Sequence, residues 1–433
     1  LGGFFFKLFF TFNCNIKYFN LRLLLFLLIG FNLNAQLSNN KIKRWISSQD
    51  NLKEAYVSIA IKPLKKDKKI KGVNINKYMT PASNLKLLTV LASIKSGDSI
   101  NSLKYKFVSD TLHISPTGYP LLEHPLYPDT ELTNLLRLGN VIVYHESSHQ
   151  MKKYGPAWAW DDFIENFSPE RNSLPIYGNV VMVTKLENGT LRVKPDFFDI
   201  NIDSTLNQSH IRKESTNHFT INPLKIKLSD TLLIPYVISD ETTNRLINHI
   251  TEKEVITASN KIINSKNIYS KIPDRIYKAI LKKSDNLISE SLLANVGYTY
   301  TDTISVDKGI DKTLEKLIPE IRNGVEWFDG SGLSRYNMIQ PKAIIYILNE
   351  IYNKWGLERI KENFPNNYIL EDKQAFVWGK TGTLRNNHNY SGFIKNKKGK
   401  YYVFSIMINH FNSDLSDIKA SIVDFLLYIN RNG

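Results

Sequence analysis

The sequence predicts an α/β (α+β) fold in which one domain, an antiparallel sheet flanked by helices, is split by a β-rich inserted region. Strand-like segments framed by helical ones lie near both ends of the 433-residue chain. Between them, short alternating strands and turn signals dominate. A chain of this length can form two or more domains with cores of their own. We therefore expect a leader at residues 1–35. The split domain should comprise residues 36–102 and 257–433, with the inserted region at residues 103–256 between them.

The leader has the composition of a secretory signal peptide. It contains no acidic residue, carries three basic residues and then runs apolar over residues 23–31. That run is too short to span a bilayer but suits the core of a signal peptide. Cleavage near Ala35 would give an exported, periplasmic protein. An uncleaved membrane anchor is the alternative, because residues 4–12 are also apolar.

Composition excludes several classes of function. The single cysteine, Cys14, lies in the leader, so the exported chain would have neither a cysteine nucleophile nor a thiolate zinc site. The formal net charge of +15 favours peripheral association with anionic cell wall or membrane surfaces. Export argues against nucleic acid as a partner. The densest lysine run, residues 62–71, follows the strand-like segment 56–61 and predicts a solvated hairpin turn rather than a binding patch.

The remaining elements follow from periodicity and from helix start and stop signals. In the first part we expect an amphipathic helix at 41–53 and, after Pro81, a helix at 84–96. In the inserted region we expect strands at 110–115, 141–144, 179–185 and 191–194, and a helical stretch at 158–167. In the second part we expect helices at 274–283, 286–296, 313–321 and 341–355, strands at 390–395 and 401–409, and a closing helix at 417–428.

The first chemical motif is Ser83-Asn84-Leu85-Lys86, at the start of a predicted helix. Ser83 and Lys86 are three residues apart, so their side chains project from the same face. A serine hydroxyl needs a base, and lysine can serve only if burial or a nearby cation lowers its pKa. Lys380 is a candidate for that cation. The helix start also favours negative charge developing next to Ser83.

One tetrapeptide of this kind proves little, because Ser-x-x-Lys also begins at Ser38, Ser305 and Ser416. The order of three motifs is far more specific. Ser284-Asp285-Asn286 and then Lys380-Thr381-Gly382-Thr383 follow Ser83, in the order that active-site serine enzymes of the penicillin-recognising type require.

The second motif lies on the loop that enters a predicted helix. Ser284 carries a hydroxyl and Asn286 an amide. These groups can relay a proton to a leaving amine and hold the backbone of a peptide substrate.

The third motif fits an edge strand that lines a groove. Gly382 has no side chain to block a substrate. The strand can pair with an extended peptide, while Lys380 and the hydroxyls of Thr381 and Thr383 meet the peptide's terminal carboxylate. The backbone N–H groups of Ser83 and Thr383 would then form an oxyanion hole.

Three further segments extend the pattern to a family. Residues 327–335, Trp-Phe-Asp-Gly-Ser-Gly-Leu-Ser-Arg, are similar to an Asp-Gly-Ser-Gly-Leu-Ser signature, residues 284–290 to a second-motif helix, and residues 155–162 to a Trp-rich inserted segment. With the three motifs, they resemble the D-alanyl-D-alanine carboxypeptidases/endopeptidases of the penicillin-binding protein 4 type (low-molecular-mass, class C). Residues 124–129 depart from that family, which often has a Gly-Asp-Pro turn there.

The resemblance implies a serine β-lactamase/DD-peptidase-like domain and a D-Ala-D-Ala carboxypeptidase. Ser83 would attack the bond between two D-alanines of a peptidoglycan stem peptide, and water would hydrolyse the acyl-enzyme. The same site could cut D-Ala cross-links, and β-lactams would acylate Ser83. The resemblance implies no metal and no organic cofactor.

Several alternatives compete with this interpretation. His145-Glu146-Ser147-Ser148-His149 matches the H-E-x-x-H zinc-protease pattern, but the residues before it are strand-like. A serine β-lactamase has the same three motifs, and a pseudoenzyme that binds the wall or senses β-lactams is the non-enzyme alternative. A Ser-His-Asp triad would need His388 or His410, which lie near the third motif.

The sequence also leaves the recognition of the third stem residue open. Its amine would call for an acidic partner, and the weak candidates are Asp161, Asp162 and Glu146.

Overall fold

The computed structural model describes residues 37–64, 68–146, 151–272, 274–369 and 374–433. The predicted leader therefore lies outside the described residues. The described helices, in chain order, are α1 Asn39–Ser47, α2 Lys86–Ser96, α3 Thr130–Leu136, α4 Asp240–Thr251, α5 Asp274–Lys282, α6 Asn286–Thr301, α7 Val306–Lys312, α8 Pro341–Asn363 and α9 Leu415–Asn432.

The described strands belong to several separate sheets. In chain order they are β1 Tyr56–Pro63, β2 Lys71–Val73, β3 Ser99–Val108, β4 Thr111–Ser115, β5 Val141–His145, β6 Val180–Lys185, β7 Leu191–Lys194, β8 Ile200–Ile202, β9 His210–Arg212, β10 Phe219–Ile221, β11 Thr231–Pro235, β12 Glu254–Ala258, β13 Lys266–Lys271, β14 Val325–Glu326, β15 Met338–Ile339, β16 Tyr368–Ile369, β17 Ala375–Leu384, β18 Asn387–Lys395 and β19 Tyr401–Asn409.

Six of these strands form the sheet that carries the site, in the order β16-β17-β18-β19-β1-β2. All of its neighbouring strands are antiparallel. β1 comes from the beginning of the described chain and pairs along its whole length with β19, from the end. The two parts of the chain that the sequence assigned to one split domain are thus joined by main-chain hydrogen bonds.

Helices cover both faces of this sheet, because side chains alternate between the faces along each strand. Ala60 and Met407 point into a core shared with α2, α6 and α8. Ile59 and Ile406 point into a second core with α1 and α9. The expected antiparallel sheet flanked by helices is therefore confirmed.

The middle of the chain is rich in short strands. β12, β5, β4, β3 and β13 form one sheet in that order, and two three-stranded sheets, β11-β6-β7 and β8-β10-β9, lie alongside. β3 and β13 pair with each other. β3 begins before residue 103 and β13 lies after residue 256, so this sheet crosses both predicted boundaries of the inserted region. The division into 36–102, 103–256 and 257–433 stays a prediction.

Two predicted helices are wrong. Residues 158–167 hold only a short 3₁₀ turn, Trp160–Ile164, because extended backbone at Ala159 and at Glu165 interrupts the helix on either side. The helix predicted at 313–321 lies earlier, as α7, and is followed by a π turn at Thr313–Leu317 and a 3₁₀ turn at Pro319–Gly324. Ser305 caps α7 and thereby fixes its start.

The lysine run lies where a hairpin turn was expected, between the paired strands β1 and β2. Lys68 and Lys69 are exposed, whereas Lys65 and Lys66 lie outside the described residues. Within the described ranges, every helix is too short or too polar to cross a bilayer.

Candidate active site

Ser83 lies in a 3₁₀ turn, Ala82–Leu85, that leads directly into α2. Pro81 precedes the turn, and Ala82 adopts the left-handed region at φ +48°. Ser83 is half-buried, and Lys86 is fully buried one turn further on. The structure therefore places Ser83 at the amino end of a helix, as expected.

The Lys86 ammonium lies against three oxygen atoms. Its Nζ is 3.1 Å from Ser83 Oγ, 2.5 Å from Asn286 Oδ1 and 2.6 Å from the carbonyl oxygen of Ser331. In its neutral form the amine keeps two N–H bonds and gains a lone pair. If Asn286 and Ser331 accept those two N–H bonds, the lone pair faces the hydroxyl of Ser83. This is the geometry that a general base for serine requires.

Burial makes that neutral form accessible, since it lowers the pKa of Lys86 to about 8. The carboxylates of Asp329, Glu290 and Asp285 act in the opposite direction and keep the pKa from falling further. The Lys86 and Lys380 amines interact, as two like charges disfavour each other. The pKa of Lys380 is held well below the ordinary value, by burial and then by the charge of Lys86.

The second motif reaches the site through the first turn of α6. Asp285 caps this helix by accepting a hydrogen bond from the N–H of Ile288 at 2.8 Å. Asn286 follows, and its Nδ2 donates to the carbonyl of Phe167 at 2.6 Å. With both ends of its amide engaged, Asn286 holds its oxygen towards Lys86. Ser284 is half-buried at φ +60°, and among the described residues no hydrogen bond joins it to Ser83 or Lys86.

The third motif lies on β17, whose residues Lys380–Thr383 pair with β18. β17 is second from the edge of the sheet, not at the edge as predicted. β16 pairs only with the start of β17, at Ala375 and Val377, so among the described strands it does not reach the motif.

Gly382 explains how closely this strand approaches the serine. A Cβ at this position would lie 2.6 Å from Pro81 O and 2.9 Å from Ser83 N, so only glycine fits. Asn84 fixes the approach, because its Nδ2 donates to the carbonyl of Lys380 at 3.0 Å. The Lys380 ammonium donates to the carbonyl of its neighbour Thr381 at 2.8 Å.

His388 is a residue whose role the sequence did not indicate. It is buried rather than exposed, and its Nδ1 lies 2.7 Å from the hydroxyl of Thr383. Burial lowers the pKa of His388 to about 4, so the ring is neutral at pH 7. It fixes the Thr383 hydroxyl, and among the described residues the side-chain partner of Ser83 is Lys86, not His388. His410 is exposed and packs its ring edge against Tyr56.

The signature at residues 327–335 forms a turn around the buried Asp329. The carboxylate of Asp329 accepts hydrogen bonds from the N–H groups of Gly332 at 2.8 Å and Ser334 at 2.6 Å, and from Asn337 Nδ2 at 2.7 Å. Gly332 has φ +80°, and a Cβ there would lie 2.0 Å from Ala82 O. The turn is thereby packed against the backbone next to Ser83 and presents the carbonyl of Ser331 to Lys86.

The inserted region contributes two side chains to the same network. Trp158, from the Trp-rich segment, donates from Nε1 to Asp329 at 2.9 Å. Arg171 pairs with the fully buried Glu290 at 3.1 Å. Neither contact was expected from the sequence, because each joins residues far apart in the chain.

His145, the first histidine of the H-E-x-x-H pattern, ends the strand β5 and does not lie on a helix. His145 Nδ1 lies 2.6 Å from the carbonyl of Asn260 and its Nε2 lies 2.9 Å from His113, so both ring nitrogens are engaged. His149 lies outside the described residues. Over the described residues, no group of three or more histidine, cysteine, aspartate or glutamate side chains could hold a metal ion.

The three acidic candidates for recognising the amine of the third stem residue lie in two different places. Asp161 and Asp162 lie in the 3₁₀ turn just after Trp158, and the charge of Arg335 reaches Asp162. Glu146 lies elsewhere, next to Asp240.

Comparisons with known proteins point to one family. Residues 253–428, which contain the second and third motifs, match the model of the D-Ala-D-Ala carboxypeptidase 3 (S13) family. A curated relative, D-alanyl-D-alanine carboxypeptidase DacB of Haemophilus influenzae, is 29% identical over 164 residues. That alignment covers 34% of this chain and 34% of the relative, about a third of its length.

Solved structures extend the match to nearly the whole chain. The crystal structure of penicillin binding protein 4 (dacB) from H. influenzae superposes with a TM-score of 0.70 at 20% identity, covering 90% of this chain and 99% of that one. The same protein complexed with a β-lactam superposes with a TM-score of 0.65 at 18% identity, with the same coverage. At these identities the structures show a common fold. The resemblance to D-alanyl-D-alanine carboxypeptidases of the penicillin-binding protein 4 type, expected from the sequence motifs, is confirmed as a likeness by the family model over residues 253–428 and by the alignment with DacB.

Proposed function

We propose that this protein is a serine-type D-Ala-D-Ala carboxypeptidase, and also a DD-endopeptidase, that acts on peptidoglycan stem peptides through an acyl-enzyme at Ser83. One observation carries the proposal. Lys86, buried and with a lowered pKa, contacts Ser83 Oγ while two other oxygens occupy its remaining N–H bonds. A surface lysine with an ordinary pKa would be protonated and could not take the serine proton.

The first chemical step forms the acyl-enzyme. Ser83 Oγ attacks the carbonyl carbon of the D-Ala-D-Ala peptide bond, and its proton passes to Lys86 Nζ. The negative charge on the carbonyl oxygen is stabilised by the backbone N–H groups of Ser83 and Thr383. The tetrahedral intermediate collapses as the C–N bond breaks. The leaving amine takes the proton that Lys86 Nζ had accepted, relayed through the Ser284 hydroxyl, and Lys86 becomes neutral again. Free D-alanine departs, or in a cross-link the neighbouring stem peptide does.

Water then completes the reaction. It attacks the ester carbonyl, gives one proton to Lys86 and releases the shortened stem peptide, and Ser83 recovers its proton. In the first step the third motif holds the substrate, since β17 offers its backbone to an extended peptide and Lys380, Thr381 and Thr383 surround the terminal carboxylate, which departs with the leaving group. β-Lactams enter the same path as covalent inhibitors, and the H. influenzae protein has been crystallised with one.

The test uses purified pentapeptide and cross-linked muropeptides, with mass detection of the products. Wild-type protein should release D-alanine and separate cross-linked pairs, whereas Ser83→Ala should do neither. Absence of both products from the wild type would contradict the proposal and favour the pseudoenzyme. Rapid release of a bound fluorescent penicillin, within seconds, would instead favour a β-lactamase.

We further propose that the protein is exported to the periplasm after cleavage near Ala35 and associates peripherally with anionic surfaces of the envelope. Support for the second point comes from the sheet. Leu64 donates to Tyr401 at the end of β1, so the β1–β2 and β18–β19 turns are neighbours. Both turns carry exposed lysines at this end of the sheet, namely Lys68, Lys69, Lys397, Lys398 and Lys400. Binding to anionic vesicles or to sacculi should therefore weaken with salt and after replacement of these lysines by alanine.

A further inference from the structure

Three successive hydrogen bonds connect the inserted region to the proposed base. Lys86 Nζ donates to the carbonyl of Ser331 at 2.6 Å. The N–H of Ser331 donates to Glu290 Oε1 at 2.8 Å. Arg171 then donates to the other carboxylate oxygen, Glu290 Oε2, at 3.1 Å. Ser331 and Glu290 are fully buried, and Arg171 is 5% exposed.

Arg171 is held in place by its own surroundings. Its Nε and second NH₂ group donate to the carbonyls of Lys152 and Tyr154, at 3.1 Å and 2.8 Å. Its guanidinium lies over the ring of Trp158, 5.3 Å from the centroid. A planar group fixed on three sides by the inserted region leaves one edge for Glu290.

Glu290 needs that partner, because an unpaired carboxylate in a dry interior is costly. Burial raises its pKa, and the charge of Arg171 acts against this. Glu290 lies on α6, one turn after Asn286 of the second motif. It therefore accepts the N–H of Ser331 from the same helix that brings Asn286 to Lys86.

We propose that Arg171 is a positioning residue for the acylation step: through Glu290 it fixes the N–H of Ser331, and thereby the residue whose carbonyl oxygen directs Lys86 towards Ser83. The inserted region is then part of the catalytic geometry. This inference rests on the proposed function, and it assigns to Arg171 no contact with the substrate.

Two readouts separate such a role from a contribution to folding alone. Because Arg171 positions the base, its loss should lower the first-order rate of acylation and leave the affinity for the ligand unchanged. A merely structural role would lower the fraction of protein that can be labelled and leave the rate of the labelled fraction unchanged.

The charges around Lys86 give the second readout. Asp285, Glu290 and Asp329 face it as carboxylates, and Lys380 faces it as the neighbouring amine. Glu290→Gln keeps an oxygen for the N–H of Ser331 but removes one negative charge. The ammonium form of Lys86 loses stabilisation, so the rise of the acylation rate with pH should shift to lower pH.

The experiment measures acylation by a fluorescent penicillin in stopped flow, at several concentrations and pH values. Arg171→Met should lower the acylation rate about 100-fold, the effect of a misplaced catalytic group. Its ligand dissociation constant and labelling stoichiometry should equal those of the wild type, and Arg171→Lys should restore part of the rate. Arg212→Met is the matched control, since Arg212 is equally buried in the inserted region but donates only to backbone carbonyls there.

The outcomes are distinct. A wild-type rate in Arg171→Met, or an equal loss in Arg212→Met, would overturn the inference and leave the proposed function intact. If Arg171→Met does not fold, Arg171→Lys and Glu290→Gln test the inference instead. Acylation rates and pH profiles equal to those of the wild type in both variants would overturn it. A wild-type protein that no penicillin labels would overturn the proposed function, and the inference with it.

Discussion

At the scale of single residues, burial of the lysine distinguishes Ser83 from the other serines in Ser-x-x-Lys patterns. Ser83 is paired with a lysine that has no access to water, whereas Ser38 and Ser305 cap helices. Their hydroxyls accept hydrogen bonds from the backbone N–H groups of the lysines three residues on, at 3.4 Å and 3.3 Å. In these two places Ser-x-x-Lys is a capping pattern in which the lysine side chain takes no part. Ser416 is exposed in the first turn of α9.

The lowered pKa of Lys86 predicts how acylation depends on pH. The amine must be neutral to accept the serine proton, so the rate should rise with pH through the pKa of about 8. For one titrating group, the neutral fraction grows about tenfold between pH 7 and pH 9. The rate of labelling by a fluorescent penicillin, corrected for spontaneous hydrolysis of the probe, measures this. A rate that is flat or falls over this range would rule out Lys86 as the base.

At the scale of elements, the site depends on how closely β17 approaches the turn that carries Ser83. Asn84 and Gly382 bring the two together without any side chain between them. The strand and the turn come from opposite ends of the chain, and the pairing of β1 with β19 holds those ends in register.

A methyl group at Gly382 should therefore separate the two elements. The new Cβ would meet only backbone atoms, at 2.6 Å to 2.9 Å, which cannot rotate away. We expect Gly382→Ala to lower the acylation rate by about 100-fold. Gly324→Ala is the control, since its nearest neighbour is the Cβ of Ala343 at 3.3 Å and it lies outside the site. Equal rates in the two variants would show that the close approach is unnecessary.

The hydrogen bond from Trp158 to Asp329 should contribute to the free energy of unfolding, because it ties the inserted region to the turn at residues 327–335. Trp158→Phe removes a donor from the buried Asp329 and should lower the free energy of unfolding by about 1–3 kcal/mol. Trp160→Phe should change it little, because Trp160 is 77% exposed. Urea denaturation of both variants measures the difference. If the two midpoints agree, the Trp158–Asp329 hydrogen bond contributes nothing measurable.

At the scale of the whole molecule, the sequence predicted the parts whose signals are local. The three motifs, the sheet of the split domain and most helices follow from residue type, spacing and periodicity. Contacts between distant segments have no such signal. Arg171 meets Glu290, and Phe167 meets Asn286, each across 119 positions of the chain.

The predicted inserted region is in contact with the site. The inserted region touches the second motif at Asn286 and the signature turn at Asp329. Together these contacts link a region without catalytic side chains to the placement of Lys86. Substitutions in the inserted region at these contacts should therefore alter the rate of acylation.

The central claim is that Ser83 alone becomes acylated. Benzylpenicillin is incubated with the wild type, Ser83→Ala and Ser305→Ala, and intact-mass and peptide-mapping mass spectrometry locate the adduct. We predict one penicilloyl group per chain on Ser83 in the wild type and in Ser305→Ala, and none in Ser83→Ala. An adduct that persists in Ser83→Ala, or a folded wild type that carries none, would contradict the account.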